Sequence, residues 1–191
     1  MEIVDAIAEL AKDLDKWFED GRATFAVPDR FAQARAIDRG IRIVRTLDRL
    51  KREGTAAVRA ILARATSEPA DTQAASLMEA FKFTSRLAGV LHDELLDTSG
   101  ETEVVRLTFA IVKALDAIDP DRRTLSTLLD DRNATVRASA GAYLITLMPD
   151  RVVPILREIE ETEDANSAHF SASWTLLRWE REGRQDRGEP D

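Results

Sequence analysis

The chain has 191 residues, 44% of them hydrophobic and 32% charged, a balance that builds a globular core and excludes wholesale disorder. Thirty-five acids outnumber 27 lysines and arginines, giving a net charge of −8 that disfavours nucleic acid and anionic membranes and favours basic partners. There is no cysteine, so disulfides, thiolate nucleophiles and thiolate metal sites are excluded together, and a reducing cytoplasmic setting is expected.

In chain order, MEIVDAIAELAKDLDKWFEDG alternates acids with apolar residues at helical spacing. Ile3, Ile7, Leu10, Leu14 and Trp17/Phe18 fall on one stripe, which predicts an amphipathic helix over 2–19 ending at Gly21. The segment has neither the basic start nor the unbroken apolar core of a signal peptide, and no run reaches the roughly 20 apolar residues that cross a bilayer. Residues 21–30 read as a loop with Asp29 as a candidate N-cap. A second helix is predicted over 31–52, with Phe31, Ile37, Ile41, Val44, Leu47 and Leu50 on its buried side and Gly54 as its stop. From Thr55 onward helix follows helix, with no strand-type alternation. The expected organisation is an N-terminal helical pair or cap over 1–54, helical repeats over 55–183 packed with it as one domain, and a disordered tail over 184–191.

The repeats are visible in two segments, LLDTSGETEVVRLTFAIVKALDAIDPDR (95–122) and LLDDRNATVRASAGAYLITLMPDR (128–151). Both run Leu-Leu-Asp, polar turn, Val-Arg, small or apolar helix, Pro-Asp-Arg. A period near 30 residues built of two helices is the signature of an α-solenoid, in which each hairpin buries its apolar stripe only against its neighbours. Four hairpins are expected, at 55–83, 85–117, 121–148 and 151–182, with Ala138, Ala140, Gly141 and Ala142 permitting close approach. A rival layout makes 71–97 one long helix, because nothing obvious breaks it near Thr84-Ser85.

The unit at 128–147, with its Asp/Asn turn, Val136-Arg137 and small residues, resembles a HEAT-type repeat. Over about 121–183 the chain is similar to a family of small bacterial HEAT-like domains of unknown function, which close with Phe-Ser-Ala, Thr-Leu and Trp, here Phe170-Ser171-Ala172, Thr175-Leu176 and Trp179. The resemblance implies an all-α HEAT-like fold and a partner-binding role, in some members as immunity proteins beside toxins. It implies no catalytic residue.

Catalytic signals are thin. His92 and His169 are the only histidines and fall in different repeats, which favours packing or surface roles. No phosphate-binding glycine loop and no nucleophile elbow occurs. The acids of EIEETED (158–164) are expected on a solvated helix end rather than around a metal, and no cofactor is expected. Arg106 and Arg137 share a repeat position, which favours pairing with a neighbouring acid or turn carbonyl over anion binding. Trp174 and Trp179 are expected to close the core at the end of the stack.

The turns concentrate charge. They hold Glu68 and Asp71; Asp97, Glu101 and Glu103; Asp130 and Asp131; Glu160, Glu161, Glu163 and Asp164, with Arg132 the only base among them. Helix capping accounts for about one acid per turn. Aligned turns therefore predict an acidic ridge facing a basic protein, in the sharpest form an immunity protein neutralising a toxin. A general scaffold or adaptor is the alternative. A HEAT-like enzyme acting on nucleic acid, in the manner of alkylated-base glycosylases, needs a basic groove that this composition opposes.

Overall fold

A computed structural model describes residues 30–64, 69–95, 98–163 and 166–186. The predicted helix at 2–19 and the loop at 21–29 lie outside the described residues, as do Glu68, Asp97, Asp164 and residues 187–191. Every regular element among the described residues is helical: α1 (Arg30–Arg64), α2 (Ala70–Val90) continuing into a π-turn (Leu91–Leu95), α3 (Thr98–Asp116), the short α4 (Arg123–Ser126) with a 3₁₀ turn (Thr127–Asp130), α5 (Ala134–Leu144), α6 (Pro149–Thr162) and α7 (Ser167–Asp186).

Two expected breaks are absent. Glycine in an exposed helix interior costs about 1 kcal/mol, which made Gly54 read as a terminator. Gly54 is buried instead, and α1 runs ten residues past it, because the space where its side chain would stand is occupied by the Phe83 ring of α2. Thr55 supports the continuation, its hydroxyl donating to the Lys51 carbonyl at 2.7 Å. The second missing break is at Thr84-Ser85. Both residues are buried in the middle of α2, with the Thr84 hydroxyl donating to the Phe81 carbonyl at 3.1 Å. The rival layout, one helix across this stretch, is the observed one. Burial decides it: Leu77, Phe81, Leu87 and Leu91 are all inaccessible, each contributing about 1.5–3 kcal/mol by leaving water.

The hairpins expected at 55–83 and 85–117 therefore share α2, and three hairpins follow α1 among the described residues: α2/α3, α4/α5 and α6/α7. α2 is the central element, packing against α1, α3 and α5 and touching α4 and α7, while α5, α6 and α7 pack mutually. The small-residue face of α5 behaves as expected. Ala138, Ala140 and Gly141 are buried, and Gly141 leaves room for Leu156 and Val152 of α6. The helix at the C-terminus reaches Asp186, three residues into the segment expected as tail.

The Val-Arg pairs are not equivalent in space. Val136 is buried at 1% exposure, whereas Val105 is 47% exposed and its neighbour Val104 fills the core. The pair stands at the eighth and ninth residues of α3 but at the third and fourth of α5, so the two copies do not share a helix position.

Candidate functional site

The turns of the three hairpins meet at one end of the molecule. A side chain on Gly89, near the end of α2, would stand 2.8 Å from the Ser167 hydroxyl at the start of α7 and 3.1 Å from Thr135 at the start of α5. Asp93, in the π-turn, accepts hydrogen bonds from the Ser167 N–H at 2.7 Å and the Ser167 hydroxyl at 2.9 Å. It thus caps α7 from a residue 74 positions away, satisfying a donor that the helix itself leaves open. Sequence reasoning missed this residue, because Asp93 lies outside the turns where local capping is read.

The predicted acidic ridge sits around this end, but most of its described members are already engaged. Glu101 lies 3.3 Å from His92 Nδ1, and Glu103 pairs with Arg59 of α1. Asp130 pairs with Arg151 at 2.7 Å. Asp131 accepts from the Asn133 N–H at 2.9 Å, while the Asn133 side chain caps α5 by accepting from the Val136 N–H at 3.2 Å. Glu160 lies 3.6 Å from Arg157, and Glu163 accepts from Asn166 at 3.0 Å. Glu161 is exposed, with no ion pair to another described residue. Solvent-exposed pairs of this kind contribute little, about 0–1 kcal/mol, but they neutralise the charge a basic partner would read.

The two arginines of the repeat position separate. Arg137 donates to the carbonyls of Asp131 at 3.0 Å and Arg132 at 3.4 Å and lies 3.8 Å from Glu158, so it ties the turn to α6. Arg106 is exposed and lines an open cleft of about 650 Å³ between α1 and α3 with Arg59, Ser99, Thr102, Glu103 and Leu107. Glu103 within the cleft answers Arg59, so the lining is of mixed charge. No group of three or more His, Asp or Glu converges as a metal-ligand set among the described residues. No helix among them is long and apolar enough to cross a membrane.

The histidines, assigned to separate repeats, flank one aromatic ring. The His92 ring centre lies 6.0 Å from that of Phe170, and His169 approaches the same ring edge-on at 5.6 Å. His169 Nδ1 is 3.1 Å from the Glu160 carbonyl, which can only accept, so this nitrogen carries a proton. Phe170 itself faces outward and begins an apolar stripe on α7. Trp174 is 69% exposed and Leu177 52%, one and two turns further on, while Ala168, Ala172 and Leu176 face the core. Trp179 is half-buried against the core as expected; Trp174 is not. On α3, Val105 and Phe109 (61% exposed) are one turn apart, starting from Glu101, which pairs with His92 beside Phe170. Only Leu147, in the turn after α5, joins these five as a large exposed hydrophobic among the described residues. These aromatics carry the surface the sequence reading overlooked. The signal was present as spacing, since Phe170, Trp174 and Leu177 repeat at helical period, but the inward and outward stripes of α7 are both apolar.

Comparison with protein-family models, with curated proteins and with solved structures returned no match.

Proposed function

We propose that this chain is a non-enzymatic protein-interaction module with a HEAT-like, short-solenoid arrangement of its hairpins. One observation carries the reading. All six large exposed hydrophobic residues among those described belong to the second helices of the three hairpins or to the turn that follows one of them: Val105 and Phe109 on α3, Leu147 after α5, and Phe170, Trp174 and Leu177 on α7. Exposed apolar residues one turn apart on α3 and in a run along α7 suit a docking face better than residues scattered singly. Stacked hairpins present their second helices on one side, as repeat proteins do when they hold a partner.

Within that class our preferred assignment is an immunity protein that occupies a toxin with a basic surface. The net charge of −8 supports it, because it steers a basic partner toward the docking face. The alternative, a scaffold or adaptor, is favoured by the engagement of Glu101, Glu103, Asp130 and Glu160 with cations of this same chain, which shifts the contact from charge to apolar area.

The test is copurification from the native host with tagged wild-type chain and the F109E/W174E variant. Loss of the recovered partner from the variant, with helicity unchanged, supports the module. Equal recovery overturns it. Recovery that survives 0.5 M salt, a concentration at which the screening length is about 4 Å, favours the adaptor, and salt-sensitive recovery of a basic toxin favours the immunity protein.

A further inference from the structure

The solvent face of α3 carries cations and no acid. Val104, Thr108, Ile111 and Leu115 line the core side of this helix. On the opposite side stand Thr102, Val105, Arg106, Phe109 and Lys113, all exposed and at spacings that place them on one stripe. Arg106 and Lys113 bracket Phe109 and are seven residues apart, about 10 Å along the helix. Neither makes an ion pair or hydrogen bond with another described residue. The acids one turn away on the helix are engaged elsewhere, Glu103 with Arg59 of α1 and Asp116 with Arg122. In a chain of net charge −8, this stripe therefore presents two unanswered positive charges beside two uncovered apolar side chains. Arg106 also lines the open cleft between α1 and α3, which gives a partner a concave seat alongside the stripe.

We propose that the α3 face receives an acidic amphipathic helix of a partner protein. Its apolar stripe lies on Val105 and Phe109, and two of its carboxylates, two turns apart, meet Arg106 and Lys113. The inference rests on the reading of the chain as an interaction module and names the partner chemistry for this part of its surface. The long stems of Arg106 and Lys113 lie along the apolar contact and keep their charged heads at its rim. There a carboxylate forms charge-assisted hydrogen bonds, two of them in parallel on the Arg106 fork. A basic segment would set its cations against both heads with no acid of the stripe between them. The net charge of −8 does not oppose this local choice, because at physiological ionic strength charges beyond about 8 Å are largely screened. A toxin with a basic surface elsewhere remains compatible, provided that the segment resting on α3 is acidic. Nucleic acid is not the occupant: its phosphates would meet only two cations, beside Val105 and Phe109, on a strongly acidic protein.

Fluorescence anisotropy of the full chain with two labelled helical peptides of about 20 residues tests it. Both carry Leu and Phe one turn apart; one flanks them with Glu two turns apart, the other with Lys at the same positions. The Glu peptide is expected to bind about tenfold more tightly than the Lys peptide at low salt. R106E/K113E should invert that preference, and F109A should weaken both peptides. All three positions face water, so far-UV ellipticity should stay at the wild-type value. A Glu peptide bound no better than the Lys peptide, or bound by neither chain up to the order of 1 mM, overturns the proposal. So does an R106E/K113E variant that keeps the wild-type preference. Copurification from the native host separates this inference from the module itself. If R106E/K113E recovers the partner as wild type does while F109E/W174E loses it, the module stands and the acidic occupant falls. If F109E/W174E keeps the partner, the module reading falls, and the peptide comparison still reports on α3.

Discussion

Arg122 grips Asp116 with two prongs, Nε to Oδ1 at 2.6 Å and Nη2 to Oδ2 at 2.7 Å, while its remaining nitrogen donates to the Tyr143 carbonyl. One guanidinium thereby joins the end of α3 to the end of α5. The same residue holds φ at 53°, the left-handed region that side chains rarely adopt. The Asp116 carboxylate raises the Arg122 pKa further, and burial raises that of the Tyr143 hydroxyl. R122A is expected to lower stability by about 1–3 kcal/mol, the range for hydrogen bonds to charged groups. R122K should recover less than half of it, because an ammonium cannot reproduce the fork. Urea melts followed by far-UV circular dichroism measure both.

Gly54 and Phe83 form a second dependent pair. Elsewhere in a helix, alanine would gain about 1 kcal/mol over glycine. Here the added methyl meets a buried ring, and G54A should be destabilised by about 1–2 kcal/mol net. F83L gives the methyl room, so G54A should be neutral or stabilising in that background. A double-mutant cycle with coupling under about 0.5 kcal/mol would contradict this packing.

Asp119 accepts from the Thr124 N–H at 2.6 Å, and that backbone bond, with the Thr124 side chain, holds its carboxyl below the usual range. A depressed carboxyl stabilises the fold above its unfolded pKa, and this contribution is lost as pH falls through the folded value. Wild type should therefore exceed D119N in urea midpoint at pH 6, with the gap closing below about pH 4. A gap that widens on acidification would reverse the assignment.

The cap that Asp93 places on α7 predicts a local effect. D93A should cost about 0.5–2 kcal/mol and speed amide exchange in the first turn of α7, with α3 unaffected. S167A removes one of the two bonds and should do less. Hydrogen exchange by mass spectrometry resolves the two helices.

The helical class and the inward face of α5 were legible in the residues, because period 3.6 and runs of small side chains are local properties. Ala138, Ala140 and Gly141 are buried as their spacing required. Capping by Asn133 is local too, the acceptor and donor being three residues apart. The uninterrupted courses of α1 and α2 were not legible. Gly54 terminates a helix in water and accommodates a ring in a core, and only the approach of Phe83, 29 positions away, selects between them. The acids of the turns were visible as composition, but whether a carboxylate faces a partner or an arginine of its own chain depends on which helix lies beside it. Arg59, Arg151 and Arg157 decided that for Glu103, Asp130 and Glu160. The sequence determined that α7 is a helix with apolar residues on two sides. Tertiary structure alone decided that Ala172 and Leu176 enter the core while Trp174 stays in water, since α5 and α6 cover only one face of α7.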